Sequence, residues 1–580
     1  MRAPNDINRG RRDVSSVQFG NDPLPESVDV LIVGAGPTGL GTALELARFG
    51  VSTAVVDAAT GATLARAGAV GYYPRTVEVF RGWDLVSRLQ QEWTVPPEWN
   101  QGNLLVTSLA GHVLRGVDDD SFSRPANAPF SREEALRRPQ TVLQKVFRAR
   151  LAELGSPVAG GWRVDSLRQD AEGVTTEVVD ASGARRSIRS SYVVGADGSR
   201  STVRRLSGIE RSGEYATERY FRYVVRTVEG TEHLLGATPR ASTVVFNNEY
   251  SGFISALNGT DWRAYYGPLP LDQDPTEKEL LDHARLGFGV DVELELLDVT
   301  PYYKSTRIAD RFVDGRVVLV GDAAHVRTPG GNVSEGFGDV LNLGWKLAAV
   351  LRGHGGDALL ASYDEERRPH NWRVANHALE QSGAVDAAAA KVRAIGVPDD
   401  ADLSPEATQQ RARVAAAVLA TLQVSPGVVF DERYDESSVI HYEPGQLDDE
   451  PAWNASRYVD NPRPGHRAPN GTVESSGLSL YDRIGTHVAL LAFGAADGSV
   501  ASAFLDAAHE RGLDLEVVFL HSPGAEALYG APYAIVRPDH HVAWRGTGAD
   551  VDPGAILDRV FGRIPAATVA DRVLVDSAAQ

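Results

Sequence analysis

Short apolar runs and helical repeats alternate near the start of this chain. Val28–Val33 is an apolar run broken only by Asp29, Leu40–Phe49 has the spacing of a helix, and Ser52–Val56 is a second apolar run. Short buried strands on either side of a helix are typical of a parallel sheet. The chain is therefore predicted to belong to the α/β class.

The middle of the chain combines two patterns. Gln140–Leu154 and Asp339–Leu351 are predicted helices. Between residues 219 and 269, Gly, Asn and Asp separate short β-prone runs, which favours an antiparallel sheet. The predicted strands after the first helix are Val164–Leu167, Val174–Val179, Ser187–Val194, Tyr220–Arg226, Thr243–Asn247, Gly252–Leu257, Trp262–Tyr266 and Arg316–Val320.

The last third of the chain contains three segments that differ in amino-acid composition. Residues 375–422 are rich in alanine and interrupted near 396–405, which predicts a helical hairpin or arm. Residues 443–471 are dense in Pro, Gly, Asp and Asn, so we expect a linker. The final hundred residues contain four further predicted strands and therefore form a separate domain: His487–Phe493, Leu515–Leu520, Ala534–Arg537 and His541–Arg545.

Composition and charge narrow the class of protein. A chain of 580 residues with 43% hydrophobic and 23% charged residues is expected to fold into several globular domains. Its net charge of −19 disfavours nucleic-acid partners, and no apolar run approaches the roughly 18 residues that span a bilayer. Residues 1–26 lack the apolar stretch of an export signal, so we expect a flexible polar tail and a cytoplasmic protein.

Cysteine is absent from the sequence. This excludes disulfides, thiolate nucleophiles and cysteine-ligated metal centres, and we predict no metal site. Any redox chemistry must therefore use a bound organic cofactor.

A glycine-rich turn follows the first predicted strand and opens the first predicted helix. Gly34 permits the tight turn, Gly36 lets the backbone approach a pyrophosphate, and Gly39 lets helix and strand pack closely. Asp57 ends the second strand, where an acidic residue accepts hydrogen bonds from a ribose. The turn therefore predicts dinucleotide binding by Gly34, Gly36, Pro37, Thr38 and Gly39.

Two later strands end in a glycine and an acid. Tyr192–Ser199 carries Asp197, and Gly315–His325 carries Asp322. Ligands of α/β sheets bind beyond the carboxyl ends of the strands. Both carboxylates are therefore expected to face the cofactor crevice.

Together, these three motifs resemble those of the FAD-dependent aromatic hydroxylases, which have the para-hydroxybenzoate hydroxylase-like fold. The resemblance implies a Rossmann-like FAD-binding domain in which Asp322 binds the ribitol and Asp197 lies near both FAD and the nicotinamide entry side. It also implies that Arg66 and Gln140 reach the pyrophosphate and ribose, and that Val164 is a backbone contact on the adenine side.

The segment after Asp322 resembles the family's isoalloxazine loop. The resemblance places Pro329 close to flavin C4a and the backbone N–H groups of Val333 and Ser334 at the flavin pyrimidine. The family usually carries Gly and, two residues later, Asn, whereas this sequence has Asn332 and Ser334. Details at the flavin edge are therefore expected to differ.

The C-terminal region is similar to the thioredoxin-like domain of phenol hydroxylases and polyketide hydroxylases. Without cysteine such a domain cannot exchange dithiols, so its expected role is structural or in subunit contact, and the resemblance suggests a homo-oligomer. The residues that carry the similarity are Pro464–Pro469, Leu480–Asp482, Val536–Asp539 and Val542–Arg545.

The predicted domain boundaries rest on both the sequence pattern and the family resemblance. They are a flexible tail (1–26), an FAD-binding domain (27–94, 126–214 and 305–375), an inserted antiparallel β substrate domain (95–125 and 215–304), a helical arm (376–442), a linker (443–471) and a thioredoxin-like domain (472–580).

The resemblance implies a single-component monooxygenase that hydroxylates a phenolic or polyketide-type aromatic ring. NADPH or NADH reduces the flavin transiently, and dioxygen then gives a C4a-hydroperoxyflavin as the oxygen donor. A Baeyer–Villiger or epoxidising enzyme of the same fold is the first alternative, distinguished by a ring-opened or epoxide product. A flavoprotein retained only for binding is the second, and substrate-stimulated NAD(P)H oxidation would exclude it.

No residue type marks the catalytic group. Tyr220, Arg222 and Val224 share one face of a predicted strand, and Arg222 is a candidate to stabilise a phenolate. A solvated or sheet-packing arginine is the alternative. Tyr72, followed by Tyr73, is a candidate pocket residue or an ordinary core aromatic. Phenol hydroxylases carry an acid in this segment, where this chain has Val70, and His325 is interpreted as a buried structural histidine.

Overall fold

A central eight-stranded sheet organises the N-terminal part of the protein. In the computed structural model, five of its strands are parallel: Ser27–Val33, Thr53–Asp57, Val158–Gly160, Arg185–Gly195 and Val317–Leu319. Three others join antiparallel: Arg163–Gln169, Val174–Val179 and Val313–Asp314. The structure describes residues 16–63, 69–96, 99, 103–115, 130–227, 241–327, 332–421, 425–470, 479–494, 496, 498–521, 523–548 and 551–564.

The register of this sheet aligns the carboxyl ends of its central strands. Val33 pairs with both Val56 and Gly195, and Gly195 also pairs with Leu319. The glycine turn, Asp57, Asp197 and Asp322 therefore all follow the same edge. This confirms the predicted α/β class, and it places the three motifs at the edge where ligands of such sheets bind.

The helices cover the sheet and extend away from it. Pro37–Arg48 packs against both Gln140–Glu153 and Asn332–Leu351, which together cover the central strands. Asp357–Ile395 is a helix of 39 residues that forms a hairpin with Pro405–Leu419. The remaining helices before residue 470 are Pro74–Gly82, Val86–Gln91, Thr202–Leu206, Glu277–Phe288, Pro426–Phe430 and Gln446–Asp449.

A seven-stranded sheet forms a second layer. One face of it, including Phe221, Tyr223 and Trp262, forms a buried core with the helix Glu277–Phe288. The opposite face carries Tyr220 and Arg222, as the alternation along a strand requires. The strands in order are Leu294–Tyr302, Glu218–Thr227, Asp261–Pro270, Ser251–Ala256, Ser242–Phe246, Asn103–Val106 and Val113–Arg115.

Small sheets connect these layers. Arg211–Glu214, Thr306–Ala309 and His325–Val326 form a three-stranded antiparallel sheet, and Gly71–Tyr72 pairs with Leu136–Arg137. The sheet formed by Ser16–Gln18 and Gly61–Thr63 begins within the predicted tail. The tail prediction to residue 26 was therefore too long: no apolar run marks this short strand, which is held by pairing.

The C-terminal sheet has four strands in the order Leu515–Leu520, Val488–Phe493, Tyr533–Val536 and Val542–Gly546. The first two are parallel and the others antiparallel, as expected of a thioredoxin-like fold. The helices of this region are Leu480–Ile484, Gly498–Glu510, Pro523–Tyr529 and Pro553–Val560. Within the described ranges, no helix is both long and apolar enough to cross a membrane.

Candidate functional site

The glycine turn is packed against the neighbouring strand end. Gly34 has φ of +112°, and a Cβ there would lie 2.3 Å from the Ala196 carbonyl oxygen. A Cβ at Gly39 would lie 1.9 Å from the Gly34 carbonyl oxygen. Both positions therefore require glycine, because side chains would collide with backbone that cannot move independently.

Gly36 differs from Gly34 and Gly39 in that a side chain would fit there. A Cβ there would meet nothing within 4 Å, so it faces open space at the start of the helix Pro37–Arg48. As the N-cap residue it offers no side chain to the first N–H groups of that helix. This opening is a cradle that leaves the first helix amides and the positive end of the helix dipole accessible, an arrangement that suits an anionic group.

Asp57 stabilises the glycine turn by accepting a hydrogen bond from its backbone. Its two oxygens accept hydrogen bonds from the Ala35 N–H at 2.6 Å and the Ala59 N–H at 2.7 Å. Burial raises the pKa of Asp57, and these two bonds oppose that effect. Its contact with a ribose remains a prediction.

Gln144 is a site residue that sequence reasoning missed. It is buried, and its Nε2 donates to the Ala35 carbonyl at 3.0 Å, so Asp57 and Gln144 hold the same residue through opposite backbone groups. Gln144 lies on a correctly predicted helix. Nothing in the local spacing distinguishes it from a core-facing glutamine.

One carboxylate oxygen of Asp197 accepts hydrogen bonds, whereas the other has no partner among the described residues. Its Oδ2 accepts from the Thr202 and Val203 N–H groups at 2.6 and 3.1 Å, which caps the helix Thr202–Leu206. Its Oδ1 is buried and has no hydrogen-bond partner among the described residues. A buried carboxylate oxygen without a partner is costly, and a ligand hydroxyl would satisfy it.

Asp322 follows the next strand end. Its side chain is exposed to solvent, yet desolvation by the surrounding protein raises its pKa, against the lowering effect of His325, Arg327 and Arg211. Solvent access combined with nearby protein is typical of the floor of a cleft.

Asp339 holds the turn that carries Asp322. Its Oδ2 accepts from the Gly321 N–H at 2.9 Å and lies 2.6 Å from His325 Nε2, while its Oδ1 accepts from Arg367 Nε at 2.8 Å. All of these side chains are buried. His325 is thus a buried structural histidine, as expected, and Asp339 is the residue that orients it.

The first turn of the helix Asn332–Leu351 closes the site. A Cβ at Gly336 would lie 2.6 Å from Thr38 Oγ1, and one at Gly321 would lie 3.0 Å from it, so the glycine turn, the Asp322 turn and this helix meet at Thr38. Ser334 Oγ is buried without a partner in the described part of the chain. The helix begins earlier than its predicted start at Asp339, so Val333 and Ser334 are helical.

Of the four remaining predicted cofactor contacts, the structure describes two, Gln140 and Val164. Gln140 exchanges hydrogen bonds with Ala69, and Val164 is buried in an edge strand of the central sheet. Arg66 and Pro329 lie outside the described residues, as does the side chain of Asn332.

Two catalytic candidates, Tyr220 and Arg222, lie on the face of the seven-stranded sheet opposite its core, and Tyr72 lies in the separate strand pair with Leu136–Arg137. Tyr220 stacks on Tyr302 with ring centroids 5.5 Å apart, and Arg222 pairs with Tyr265 on the next strand. Burial raises the pKa of Tyr72 and the charge of Arg263 opposes this, whereas burial and the charge of Arg263 both lower the pKa of Arg222, so both side chains lie near Arg263. Sequence reasoning missed Arg263 because no motif surrounds it.

Comparisons with known proteins agree with this geometry. A family model described as FAD binding domain matches residues 27–378, and one described as aromatic-ring hydroxylase, C-terminal, matches residues 461–564. The chain is 34% identical to 4-methyl-5-nitrocatechol 5-monooxygenase of Burkholderia sp, over 92% of this chain and 97% of that protein. The chain is an FAD-dependent aromatic hydroxylase.

Two further comparisons extend this assignment. The hydroxylase is 30% identical to aklavinone 12-hydroxylase RdmE of Streptomyces purpurascens, over 93% of this chain and 98% of that one. The rebeccamycin biosynthetic enzyme RebC with reduced flavin superposes with a TM-score of 0.79 at 29% identity, covering 93% of the hydroxylase and 100% of RebC. The hydroxylase is therefore a monooxygenase with FAD as cofactor and NAD(P)H and dioxygen as co-substrates.

A buried ionic network of the hydroxylase contacts the turn that carries Asp322. Four of its carboxylates have a pKa of about 2: Glu335, Asp339, Glu366 and Glu432. Burial alone would raise each pKa. Nearby basic side chains lower each pKa by more than burial raises it. The strongest of these for Glu335, Asp339, Glu366 and Glu432 are, in that order, His370, His325, Arg537 and Arg367.

Acid is expected to unfold the hydroxylase steeply. The pKa of each of these four carboxylates is about 2 in the folded protein, compared with ordinary values of 3.8 for Asp and 4.5 for Glu. Between about pH 2 and 5 the unfolded chain therefore binds more protons than the folded protein does. Their stabilisation is complete above about pH 5 and is lost as pH falls towards about 2. Urea unfolding at several pH values would measure it; a stability that stays constant down to about pH 3 contradicts the prediction.

Proposed function

We propose that FAD binds along the aligned strand ends and that a phenolic ring is hydroxylated between this site and the seven-stranded sheet. The observation that carries the proposal is the single edge shared by the glycine turn, Asp197 and Asp322. The open cradle over Gly36 and the partnerless Oδ1 of Asp197 fit the pyrophosphate and hydroxyl groups of FAD.

Each part of FAD has candidate partners in this chain. The amides at Gly36 suit the pyrophosphate, Asp57 the adenosine ribose, and Asp322 the ribitol. When bound, FAD accepts hydride from NAD(P)H and activates dioxygen. The full proposed contact set is Gly34, Gly36, Pro37, Thr38, Gly39, Asp57, Arg66, Gln140, Val164, Asp197, Asp322, Pro329, Val333 and Ser334.

The proposed role of Arg222 is to stabilise the ionised hydroxyl of the substrate. Arg222 is largely enclosed, and a cation in such surroundings interacts strongly with an anion. Burial raises the pKa of Tyr72, so its hydroxyl stays protonated at neutral pH and acts as a donor, not as a base. Tyr220, held against Tyr302, is proposed to line the pocket.

Water exclusion is supported by an apolar cluster on the same face. Val70, Val224, Leu257 and Leu297 are buried together there. The absence of an acid at Val70 is thus consistent with a packing role for this position. An enclosed pocket strengthens the electrostatic contact between Arg222 and a phenolate.

The remaining details are also proposals. Relatives are named for a nitrocatechol and for aklavinone, so we propose a small aromatic substrate with a free ring hydroxyl. We also propose that the enzyme acts in the cytoplasm, without nucleic-acid or membrane partners, as a homo-oligomer. The predicted domain division is retained, with its first folded strand at Ser16–Gln18.

Phenolic ligands are expected to accelerate NAD(P)H oxidation by the FAD-loaded enzyme and to yield a product one oxygen atom heavier. Purified enzyme would be assayed with both NADPH and NADH against a panel of phenols, with non-aromatic alcohols as controls. Product NMR then separates ring hydroxylation from Baeyer–Villiger or epoxide products. The hydroxylation proposal fails if the flavin is never reduced, or if only ring-opened or epoxide products form.

A further inference from the structure

A cavity lies behind the first turn of the helix Asn332–Leu351. The start of the helix Pro74–Gly82, the long helix Asp357–Ile395 and the segment around Pro426–Phe430 enclose its other sides. Because the backbone of Ser334 is proposed to contact the flavin pyrimidine, the cavity lies next to the cofactor. Ser334 lines the cavity, and the ionisable lining residues within the described part of the chain are Tyr73, Arg75, Glu335, His370 and Glu432.

The cavity is separate from the seven-stranded sheet. Burial raises the pKa of Tyr73, and the nearby charges of Arg327 and Glu335 also act on it. Burial likewise raises the pKa of the preceding residue, Tyr72, but the charge near that hydroxyl is Arg263 of the sheet. Consecutive side chains of this segment therefore face two different places, and the cavity is not part of the proposed substrate pocket.

Glu335 fixes the orientation and the tautomer of His370. Both side chains are buried, and His370 Nε2 lies 2.8 Å from Glu335 Oε2. Since the pKa of Glu335 is about 2, its carboxylate is ionised at neutral pH and only accepts hydrogen bonds. Nε2 therefore carries the hydrogen of the neutral imidazole, and Nδ1 is an acceptor.

Two buried atoms at the cavity indicate a bound group. His370 Nδ1 and Ser334 Oγ have no hydrogen-bond partner among the described residues, and His370 is 3% exposed. The family's usual asparagine at position 334 is longer, so serine leaves space between this turn and His370. A water molecule that bridges the two residues satisfies both atoms.

The groups around His370 set its charge. Burial lowers the pKa of His370, the charge of Glu335 opposes this effect, and the charge of Arg367 adds to it. The imidazole is therefore neutral at neutral pH and becomes charged only below its ordinary pKa of 6.5. The charged and titratable groups that face it are Glu335 from the helix Asn332–Leu351, Arg367 from its own helix, Glu432 after Pro426–Phe430, Tyr73 and Arg75 at the start of Pro74–Gly82, and Arg327 beyond Glu335.

We propose that His370 moves protons between the cavity water and the flavin edge, with Ser334 as the hydroxyl nearest the cofactor. The inference rests on the proposed function, since it places FAD at the first turn of this helix. His370 is a positioning residue in this scheme, because it acts on the cofactor through water and Ser334.

Hydroxylation requires a route for one proton. An aromatic ring, dioxygen, NAD(P)H and one proton give the hydroxylated ring, NAD(P)⁺ and water, and that proton comes from solvent. The ring side of the site is enclosed by apolar residues. His370 Nδ1 takes up the proton from cavity water and passes it through the bridging water to Ser334. The imidazole is then neutral again, Nε2 has stayed bonded to Glu335, and no electrons have moved.

The test follows the visible absorption spectrum of the FAD-loaded enzyme between about pH 5 and 8, without substrate. Protonation of His370 places a positive charge near the flavin edge, so the spectrum is expected to change with an inflection below pH 6.5. Glu335 and Glu432, with pKa values of about 2, keep their charges in this range. His370→Gln retains a donor towards Glu335 but cannot take up a proton, and the inflection should disappear.

His377→Gln is the matched control. His377 lies on the same helix, burial also lowers its pKa, and its Nε2 lies 3.2 Å from Ser425 Oγ, away from the cavity. This variant is expected to keep the inflection of wild type.

Ser334→Asn tests the same contact with His370 in place, which keeps the test decisive when His370→Gln fails to fold. The asparagine amide fills the space and donates to Nδ1, which disfavours protonation. The inflection should therefore move to lower pH by about one unit, whereas FAD affinity is retained.

Turnover gives a second readout. With a phenol that stimulates NAD(P)H oxidation, kcat of His370→Gln is expected to fall about 100-fold, while KM and FAD affinity change by less than about threefold. A variant that loses the inflection but keeps the kcat of wild type overturns the proposal.

The spectra separate this proposal from the proposed function. A wild-type spectrum without an inflection, or the same inflection in His370→Gln, overturns the proton route even when phenols are hydroxylated. An inflection that depends on His370 supports the route even when no phenol is turned over. In that case the hydroxylation proposal fails alone.

Discussion

Replacing Arg537 by methionine is expected to lower the free energy of unfolding by about 3–5 kcal/mol. Arg537 is fully buried, and it donates to both oxygens of Glu366, at 2.6 and 2.8 Å. Its Nε also donates to Asp539 Oδ1 at 3.0 Å. Without it, Glu366 keeps the charge of Lys346, and both carboxylates keep the hydrogen bonds from the neutral Asn342, so the two buried negative charges are only partly compensated. Urea unfolding in saturating FAD would measure the loss.

Arg545→Met is the matched control for this prediction. Arg545 lies in the same C-terminal sheet and pairs with Glu443, but both side chains are partly exposed. Such pairs contribute about 0–1 kcal/mol, so the control should lose far less stability. Similar small losses in both variants would show that the buried network does not hold the C-terminal domain in place.

The buried network also links the C-terminal domain to the N-terminal part of the chain. Arg75 donates to the Asp539 carbonyl at 3.2 Å and to Glu432 at 3.3 Å. Glu432 pairs with Arg367, which reaches Asp339 beneath the turn of Asp322. Buried charges thereby connect the thioredoxin-like domain to the turn that carries Asp322.

The motifs of the site were predictable because each is local. A glycine turn between a strand and a helix, and an acid at a strand end, are contained in a few consecutive residues. The parallel-sheet rule then brings them to one edge, and the register through Val33 and Gly195 confirms it. The separate C-terminal domain was predictable for the same reason, since its strands are short apolar runs.

Contacts between distant segments were not predictable. Gln144 meets Ala35 across 109 residues, and Arg137 approaches Arg263 from a different sheet. A single sequence carries no register for such pairs. The early start of the helix Asn332–Leu351 was missed because Gly336 and Gly338 are poor helix formers, yet a Cβ at either would strike Thr38 or Arg367. Packing there outweighs helix propensity.

Two alanine substitutions in the glycine turn are expected to fail in different ways. Gly34→Ala forces a side chain into φ of +112° and to 2.3 Å from the Ala196 carbonyl oxygen. The backbone strain alone costs about 1–3 kcal/mol, and the collision adds to it. The apoprotein should therefore lose stability, and FAD binding should be lost with the turn.

Gly36→Ala places its methyl group in open space, so the stability of the apoprotein should change by no more than about 0.5 kcal/mol. The methyl group nevertheless fills the cradle in which the pyrophosphate is proposed to lie, and FAD affinity should fall. Urea unfolding of the apoproteins and fluorescence titration with FAD measure the two effects separately. Wild-type FAD affinity in Gly36→Ala would contradict the assignment of the cradle, whereas an unaltered stability of Gly34→Ala would contradict the packing of the turn. Only a ligand that approaches the backbone at Gly36 accounts for a loss of affinity without a loss of stability.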